Sequence, residues 1–425
     1  MSLRQRTLSI FASAFVSACS SSSEPPAAPV TPGAAAASTV PACEPAPLDT
    51  TVPFPLGGEA SDVACALESL APILSETQVI CSAESSHGVA ETAAIHLAVI
   101  RHAVLKLGYR IIAEEIDDAT MRTTIDRYVN DGDDAALGRY AKAAGRTLAN
   151  TKNYLGLFRG LRDLAAELPA GEHLSIRGMD VAITMGPART EVLAYLAKVD
   201  ASLVPMWTAK LNVKDSTEGQ GNAQALRQLL DEHHQRYVAL SDESSFANCA
   251  SDTDALADGF GFLQSYASGD FTTGNAAYRD PAMARNILRL AAGGKVIVLA
   301  HLGHCARDYP SQGTTRAGGK FAFGKVVHES FGDRYKIVGQ LLGGGEEMLP
   351  SGKTGAVAPD DDTVEHALST SVEVPFALVP IRGMSPIDFD HPWTLSRMPE
   401  ERVLPSAQAD AIAFIKTAMP VTLNW

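Results

Sequence analysis

At 425 residues the chain exceeds what a single hydrophobic core usually fills. A formal charge of −14, with no basic cluster, argues against a nucleic-acid partner, because phosphate contacts need a cationic footprint. Apolar residues at 46% and charged residues at 20% exclude wholesale disorder, and no run of about 18 apolar residues marks a bilayer-spanning helix.

The first segment reads as an address. Arg4 and Arg6 precede the mostly apolar stretch Thr7 to Val16, as in an export signal. It closes as Val16-Ser17-Ala18-Cys19, which resembles a bacterial lipobox. That resemblance implies cleavage before Cys19 and acylation of its new terminus. Residues 1–18 are thus expected to be a lipoprotein signal peptide and 19–60 a Pro/Ala/Ser-rich tether, whose composition cannot build a core. The acyl chains would hold the protein at a membrane without any spanning helix. Ser20 after the cysteine leans, by the same resemblance, toward an outer-membrane lipoprotein facing the periplasm or the surface.

Residues 61–425 are expected to fold as an α/β domain. Thr77 to Ala83 is a short apolar run rich in β-branched residues, hence a buried strand. Val89 to Leu107 carries apolar residues at three-to-four spacing and stops at Gly108, hence a helix. Tyr109 to Ala113 is again strand-like, so the three form a βαβ unit with a parallel pair and a right-handed crossover. The pattern returns with a helix over Met283 to Ala292, a strand over Lys295 to Ala300, a helix over Phe321 to Phe331 and a strand over Tyr335 to Leu341. Between about 120 and 290 helical periodicity dominates, as in Leu148 to Leu168 and Asn222 to Leu240; only Leu174 to Val181 reads as a strand. The expected architecture is a central, largely parallel sheet flanked by helices, with a mostly helical insertion. Besides Cys19, the cysteines are Cys43, Cys65, Cys81, Cys249 and Cys305, an odd number that leaves at least one unpaired in an exported protein. Cys43 and Cys65 flank the entry loop and are candidates to staple it, whereas Cys81 and Cys305 suit buried thiols.

Three strand ends deliver chemistry. Glu84 and His87 stand where the first strand passes into its helix, Glu114 and Glu115 close the second strand, and His301 and His304 follow the apolar strand KVIVLA. Open parallel sheets place their sites outside the carboxyl ends of strands. A carboxylate closing an apolar strand is costly unless paired, so each such residue is a functional candidate. The helix N-terminus beside His87 disfavours imidazolium, which favours a neutral ring able to accept a proton. Glu91, one turn on, is either a second site carboxylate or a first-turn acid that suits the helix dipole. Ser85 and Ser86 lack the flanking glycines of a nucleophile elbow, and no HExxH occurs.

Four ordered blocks resemble the erythromycin esterase family. They are AESSHGVAETAAIHLAVIRHAVLKLGYRIIAEE, SIRGMDV, YRDPAMARNILRLAAGGKVIVLAHLGH and FAFGKVVHESFGDRYKIVG, spanning about 77 to 340. Members of that family cleave macrolactone esters by activating water, without a nucleophilic serine and without an established metal requirement. By motif position the resemblance puts Glu84 and His87 on the base pair, Glu115 on the acid ending the second strand, and His301 and His304 on the paired histidines. Nine residues after the motif histidine, where the family often carries Arg or Lys, this chain has His96, and Arg101 follows. Glu91, His96 and Arg101 are therefore the candidates for substrate contact.

The expected function is hydrolysis of a carboxylic ester or lactone, with His87 as base, Glu84 orienting it, and His301 or His304 polarising the carbonyl or protonating the alkoxide. No cofactor is expected. Two alternatives remain open. His87, Glu115, His301 and His304 can jointly hold a divalent metal such as zinc, giving a metal-dependent hydrolase or a metal-binding lipoprotein. Otherwise the chain is an inactive surface-binding lipoprotein of the same fold. The helical insertion is expected to wall the cleft, with at least two of Tyr154, Phe158, Trp207, Phe260, Phe262 and Tyr266 facing it.

Overall fold

A computed structural model describes residues 51–53, 60–307, 322–381, 387–389, 393–395, 398–403 and 405–424. Cys19, Cys43, the signal segment 1–18 and almost all of the tether lie outside the described residues. No described helix is long and apolar enough to cross a membrane.

The core is an eight-stranded sheet. In chain order its strands are β1 (Val52–Pro53), β2 (Val79–Glu84), β3 (Ile111–Asp117), β4 (Ser175–Asp180), β5 (Val296–His301), β6 (Tyr335–Leu342), β7 (Phe376–Pro380) and β8 (Ala411–Ile415). Their spatial order is β1-β7-β8-β6-β2-β5-β3-β4. From β8 to β4 every neighbouring pair is parallel, and β7 and β1 add an antiparallel edge. β2 and β3 are parallel, as expected of a βαβ unit, but they are not neighbours. β5 lies between them and pairs with both. Its sequence explains the position: Val296 to Ala300 is buried throughout, and a strand covered on both faces belongs at a sheet's centre.

Helices cover both faces. On one, α1 (Ala90–Leu107) and α4 (Lys152–Ala166) pack Ile95, Val99, Leu157 and Phe158 onto Ile80, Ile112 and Ile297. On the other, α8 (Asp280–Gly293) and α10 (Phe323–Phe331) pack Met283, Ile287, Phe323 and Val327 onto Val79, Cys81 and Val298. The alternation Val79, Ile80, Cys81 thus feeds the two cores in turn, as the strand period requires. Cys81 and Cys305 were expected as separate buried thiols. They form a disulfide with Cα atoms 6.4 Å apart, tying β2 to the short helix α9 (Leu302–Cys305) that follows β5. Cys65 is also disulfide-bonded, and Cys249 is free and buried.

Between β3 and β5 the described chain is helical apart from β4. It includes α2 (Asp118–Thr123), α3 (Asp134–Ala144), α5 (Gly186–Val199), α6 (Ser216–Glu232) and α7 (Glu243–Ala267). The last three build a core of their own from Val192, Leu196, Leu226, Leu230 and Leu256.

Candidate active site

The carboxyl ends of β2, β3, β4 and β5 open into a cleft of about 270 Å³ lined by Glu84, His87, Glu114, Glu115, Asp180 and Arg279 among others. Two successive glutamates face it because β3 carries a bulge. Glu114 pairs with Gly178 and Asp117 with Asp180, so one extra residue on β3 breaks the usual alternation. Gly178 is required there, since a Cβ would lie 2.3 Å from the Ile116 carbonyl oxygen.

Glu84 is the buried end of β2. Its carboxylate contacts His87 Nδ1 and accepts the Tyr154 hydroxyl proton at 3.0 and 3.1 Å from its two oxygens. His96 lies behind it, fully buried, with Nε2 3.6 Å from Glu84 Oε2 and Nδ1 2.8 Å from Ser82 Oγ. Gln340 Nε2 also approaches that Nδ1 at 3.3 Å, which makes Nδ1 the acceptor and directs Nε2–H at Glu84. Burial would raise the Glu84 carboxyl, but His87 and His96 hold it down at about 2. Gly88 shapes the turn that carries His87. A Cβ there would meet the Met348 carbonyl oxygen at 2.0 Å, and Gly88 O accepts from Met348 N and Val421 N.

The charge on His87 differs from the expectation. Burial works against its cation, yet the Glu84 carboxylate in contact with Nδ1 outweighs this and, with Glu115, raises the ring to about 9. A direct carboxylate contact is stronger than the partial charge of a helix terminus. The side chain remains 43% exposed, and its Nε2 makes no hydrogen bond among the described residues.

The second half of the cleft is a closed network. Arg279 leaves a π-helical turn, Asn275–Arg279, and donates from Nε to both Asp180 oxygens at 2.9 Å. Its Nη2 donates to Glu115 Oε1 and Asp180 Oδ2, each at 2.6 Å. Glu115 Oε2 accepts the His301 backbone N–H at 2.8 Å. Burial would raise the Glu115 carboxyl; Arg279, His304 and His87 instead hold it far below the carboxylate range. His304 sits between two acids, with Nδ1 2.8 Å from Asp280 Oδ1 and Nε2 3.7 Å from Glu115 Oε1. Burial lowers its pKa, but Asp280 and Glu115 raise it further, so the ring favours its cation.

His301 uses both ring nitrogens on backbone. Nδ1 accepts from Gly303 N at 3.1 Å, so Nε2 carries the proton and donates to Ser85 O at 3.1 Å. Burial, reinforced by the neighbouring His87 ring at 5.5 Å, lowers its pKa to about 4 and keeps it neutral.

Glu84, His87, Glu115, His301 and His304 therefore come together. The three proposed substrate contacts do not join them. Glu91 is buried and accepts from Met419 N at 3.2 Å, pinning the C-terminal segment. His96 is sealed beneath Glu84. Arg101 is almost three turns further along α1 than the cleft end and forms a bidentate pair with Glu167 at 2.8 and 2.9 Å. Nor do His87, Glu115, His301 and His304 fit a metal. Glu115 already accepts from Arg279 and from the His301 backbone N–H, His301 Nδ1 accepts from Gly303 N, and no group of three or more ligating side chains among the described residues is arranged to hold an ion.

Of the six aromatics expected at the wall, Tyr154 alone lines the cleft. Phe158 belongs to the sheet core, and Trp207 and Phe260 to the core of the helical segment. Phe262 packs in a small cluster with Val181 and Ala282, and Tyr266 is exposed. The helices spend these rings on each other, and the wall comes from smaller residues of α3 and its following loop, such as Ala144 and Leu148. Arg279, Asp180 and Asp280 were not singled out from the sequence, although the blocks RDPAMARN and GMDV contain them.

No curated protein matches the chain. Among solved structures it is similar to a Bacillus cereus protein at 16% identity and a TM-score of 0.70, covering 88% of this chain and 97% of that one. A succinoglycan biosynthesis protein is similar at 15% identity and a TM-score of 0.70, covering 88% and 96%. A mutant of the erythromycin esterase EreC in its open conformation is similar at 15% identity and a TM-score of 0.67, covering 87% and 97%. These likenesses establish the fold. A family model, Erythromycin esterase, matches residues 104–417, a span that holds Glu115, Arg279, His301 and His304 and begins after Glu84 and His87. The chain belongs to the erythromycin esterase family and is a hydrolase of esterase-like type.

Proposed function

We propose that the protein hydrolyses a compact carboxylic ester or lactone with water activated by His87. One observation carries this: of His87, His301 and His304, His87 alone combines a carboxylate on Nδ1 with an Nε2 that is open to the cleft. Water held at Nε2 gives its proton to the ring as its oxygen bonds to the ester carbon. The tetrahedral intermediate then collapses, and the same proton passes from Nε2 to the departing alkoxide. Glu84 favours the imidazolium formed on the way, and Tyr154 and His96 hold Glu84 in place. A positioned acid–base group of this kind contributes about 10²–10⁴-fold.

Among the described residues no side-chain nucleophile is poised to compete with water. The Ser86 hydroxyl donates to Glu347 at 2.5 Å, the Ser85 hydroxyl is buried without a histidine partner, and Cys305 is spent in its disulfide. The reaction is proposed to need no metal. A panel of esters and lactones, assayed with and without chelator, tests the reading. Turnover that survives chelation is expected; turnover that depends on a divalent ion contradicts it.

We further propose an exported lipoprotein anchored through acylated Cys19. The Cys81–Cys305 bond supports export, since disulfides persist in oxidising compartments. Membrane fractionation of Cys19→Ser should find the protein soluble, and a variant still in the pellet rejects the anchor.

A further inference from the structure

His87 is the open member of its pair. The Glu84 side chain is 2% exposed and the His87 side chain 43%, so packing does little to aim the ring. Its direction is set by the turn that carries it, residues 85–88, and by what holds that turn. Two segments distant in the chain do so.

The first is a hairpin of antiparallel strands, Gly345–Met348 and Thr354–Val357. Its Met348 N donates to Gly88 O at 2.9 Å. The second is the C-terminal segment, where Val421 N donates to the same Gly88 oxygen at 3.0 Å and Met419 O accepts from Ala90 N at 2.8 Å. The two segments are tied to each other. Glu346 N donates to Ala418 O at 3.0 Å, and Ala418 N donates to Gly344 O at 2.8 Å. Gly345 permits that approach, with φ at 103° and room for no Cβ, which would lie 2.3 Å from Ala418 O.

These are backbone bonds, and those to the turn fall on the chain after His87. Before it, a side chain takes over. Glu347 is buried and accepts the Ser86 hydroxyl at 2.5 Å, while Ser86 Oγ accepts from Gly88 N at 3.2 Å. The Glu347–Ser86–Gly88 chain of bonds therefore spans His87 from one side to the other. Neither Ser86 nor Glu347 lines the cleft, so neither is placed to touch a substrate.

Resting on the esterase reading, we infer that Glu347 is a positioning residue: by accepting the Ser86 hydroxyl it locks the turn that aims His87 at the cleft. Displacement of a catalytic group by about 1 Å can cost on the order of 10²-fold in rate, so a bond outside the cleft can govern turnover.

Full-length variants test this. Glu347→Ala should lower kcat by about tenfold or more and leave KM within about twofold, because the base is displaced and no substrate contact is removed. Ser86→Ala should do the same, and the double variant should be no slower than either alone, since both remove one bond. Glu347→Gln keeps an oxygen that can accept from Ser86 and should recover most of the lost kcat. An NMR titration of the His87 ring needs no turnover. Its pKa should fall from about 9 toward 6.5 in Glu347→Ala, as the contact with Glu84 loosens, and return in Glu347→Gln. Glu84, Glu115, Arg279 and His301, which face the ring, are unchanged in every variant, so a shift reports the turn. A variant that melts earlier but keeps both kcat and the His87 titration of the wild type overturns the inference; if Glu347→Ala does not fold, Ser86→Ala decides in the same way. If the wild type hydrolyses no ester, the esterase reading falls alone, and the His87 shift still decides whether Glu347 sets the ring.

Discussion

The two halves of the cleft use the same residue types to opposite ends. Around Arg279, two carboxylates, a guanidinium and His304 satisfy one another, and His301 gives both nitrogens to backbone. Around Glu84, the same chemistry stops one bond short: His87 Nδ1 is held, and Nε2 faces the cleft. Count of ligands or charges does not distinguish the halves. The unfilled valence does. The saturated half fixes where β3 and β5 end, and the unsaturated half is left with a proton to exchange.

Removing the open ring should have the largest effect on turnover. His87→Ala is expected to lose about 10²–10⁴-fold in kcat/KM and to melt at a lower temperature than wild type, because the buried Glu84 carboxylate is left without the cation in contact with it. Assay of an activated ester together with thermal melting checks both halves of that statement. Near-native turnover would move the base elsewhere.

The saturated half should fail differently. Arg279→Ala strands Glu115 and Asp180 without their cation, and breaking a buried pair in this way costs about 3–5 kcal/mol. Denaturant titration reads that loss directly. A stability change below about 1 kcal/mol would mean that the network is no more than a surface-like pairing.

Tyr154→Phe marks the boundary between the halves, since it removes one hydroxyl donor to Glu84 and leaves the two histidines beside it. A hydrogen bond to a charged group is worth about 1.5–3 kcal/mol, and a loss of that order is expected in denaturant midpoints. Arg101→Ala should do least. Its exposed pair with Glu167 is worth about 0.2–1 kcal/mol, and kcat/KM should not change. A clear rise in KM would restore Arg101 as a substrate contact.

How much of this was legible in the sequence follows from which forces act locally. β2 and β5 were visible because strands buried on both faces must be apolar throughout, and polar residues at their ends stand out against that background. Glu84, His87, His301 and His304 stand out in that way, and Glu115 does so after the apolar start of β3. What partners them was not visible, because contact is made across the fold. The cation on His87 depends on a carboxylate touching Nδ1, and the neutrality of His301 on two backbone groups, one of them in Ser85. The bulge that turns Glu114 and Glu115 to one side leaves no mark in the pattern of β3 beyond Gly178 on its neighbour. Trp207 and Phe260 stand out in the sequence as large apolar residues, but that other helices rather than the cleft cover them does not. The insertion of β5 between β2 and β3, and the Cys81–Cys305 bond across it, likewise belong to topology rather than to local sequence.

His87 acts as a base whose ring is held by Glu84, and that role has a definite pH signature. The ring pKa is raised from 6.5 to about 9 in the folded protein. The stabilisation that the Glu84–His87 pair contributes is therefore complete below 6.5 and is lost as pH rises through about 9, and the same deprotonation frees Nε2 to accept a proton from water. The most direct measurement is the pH profile of kcat/KM for one ester in wild type and in Glu84→Gln. Activity should climb with pH along a limb lying above 6.5, and in Glu84→Gln that limb should move to lower pH. A profile that falls with rising pH, or a limb that Glu84→Gln leaves in place, would contradict it.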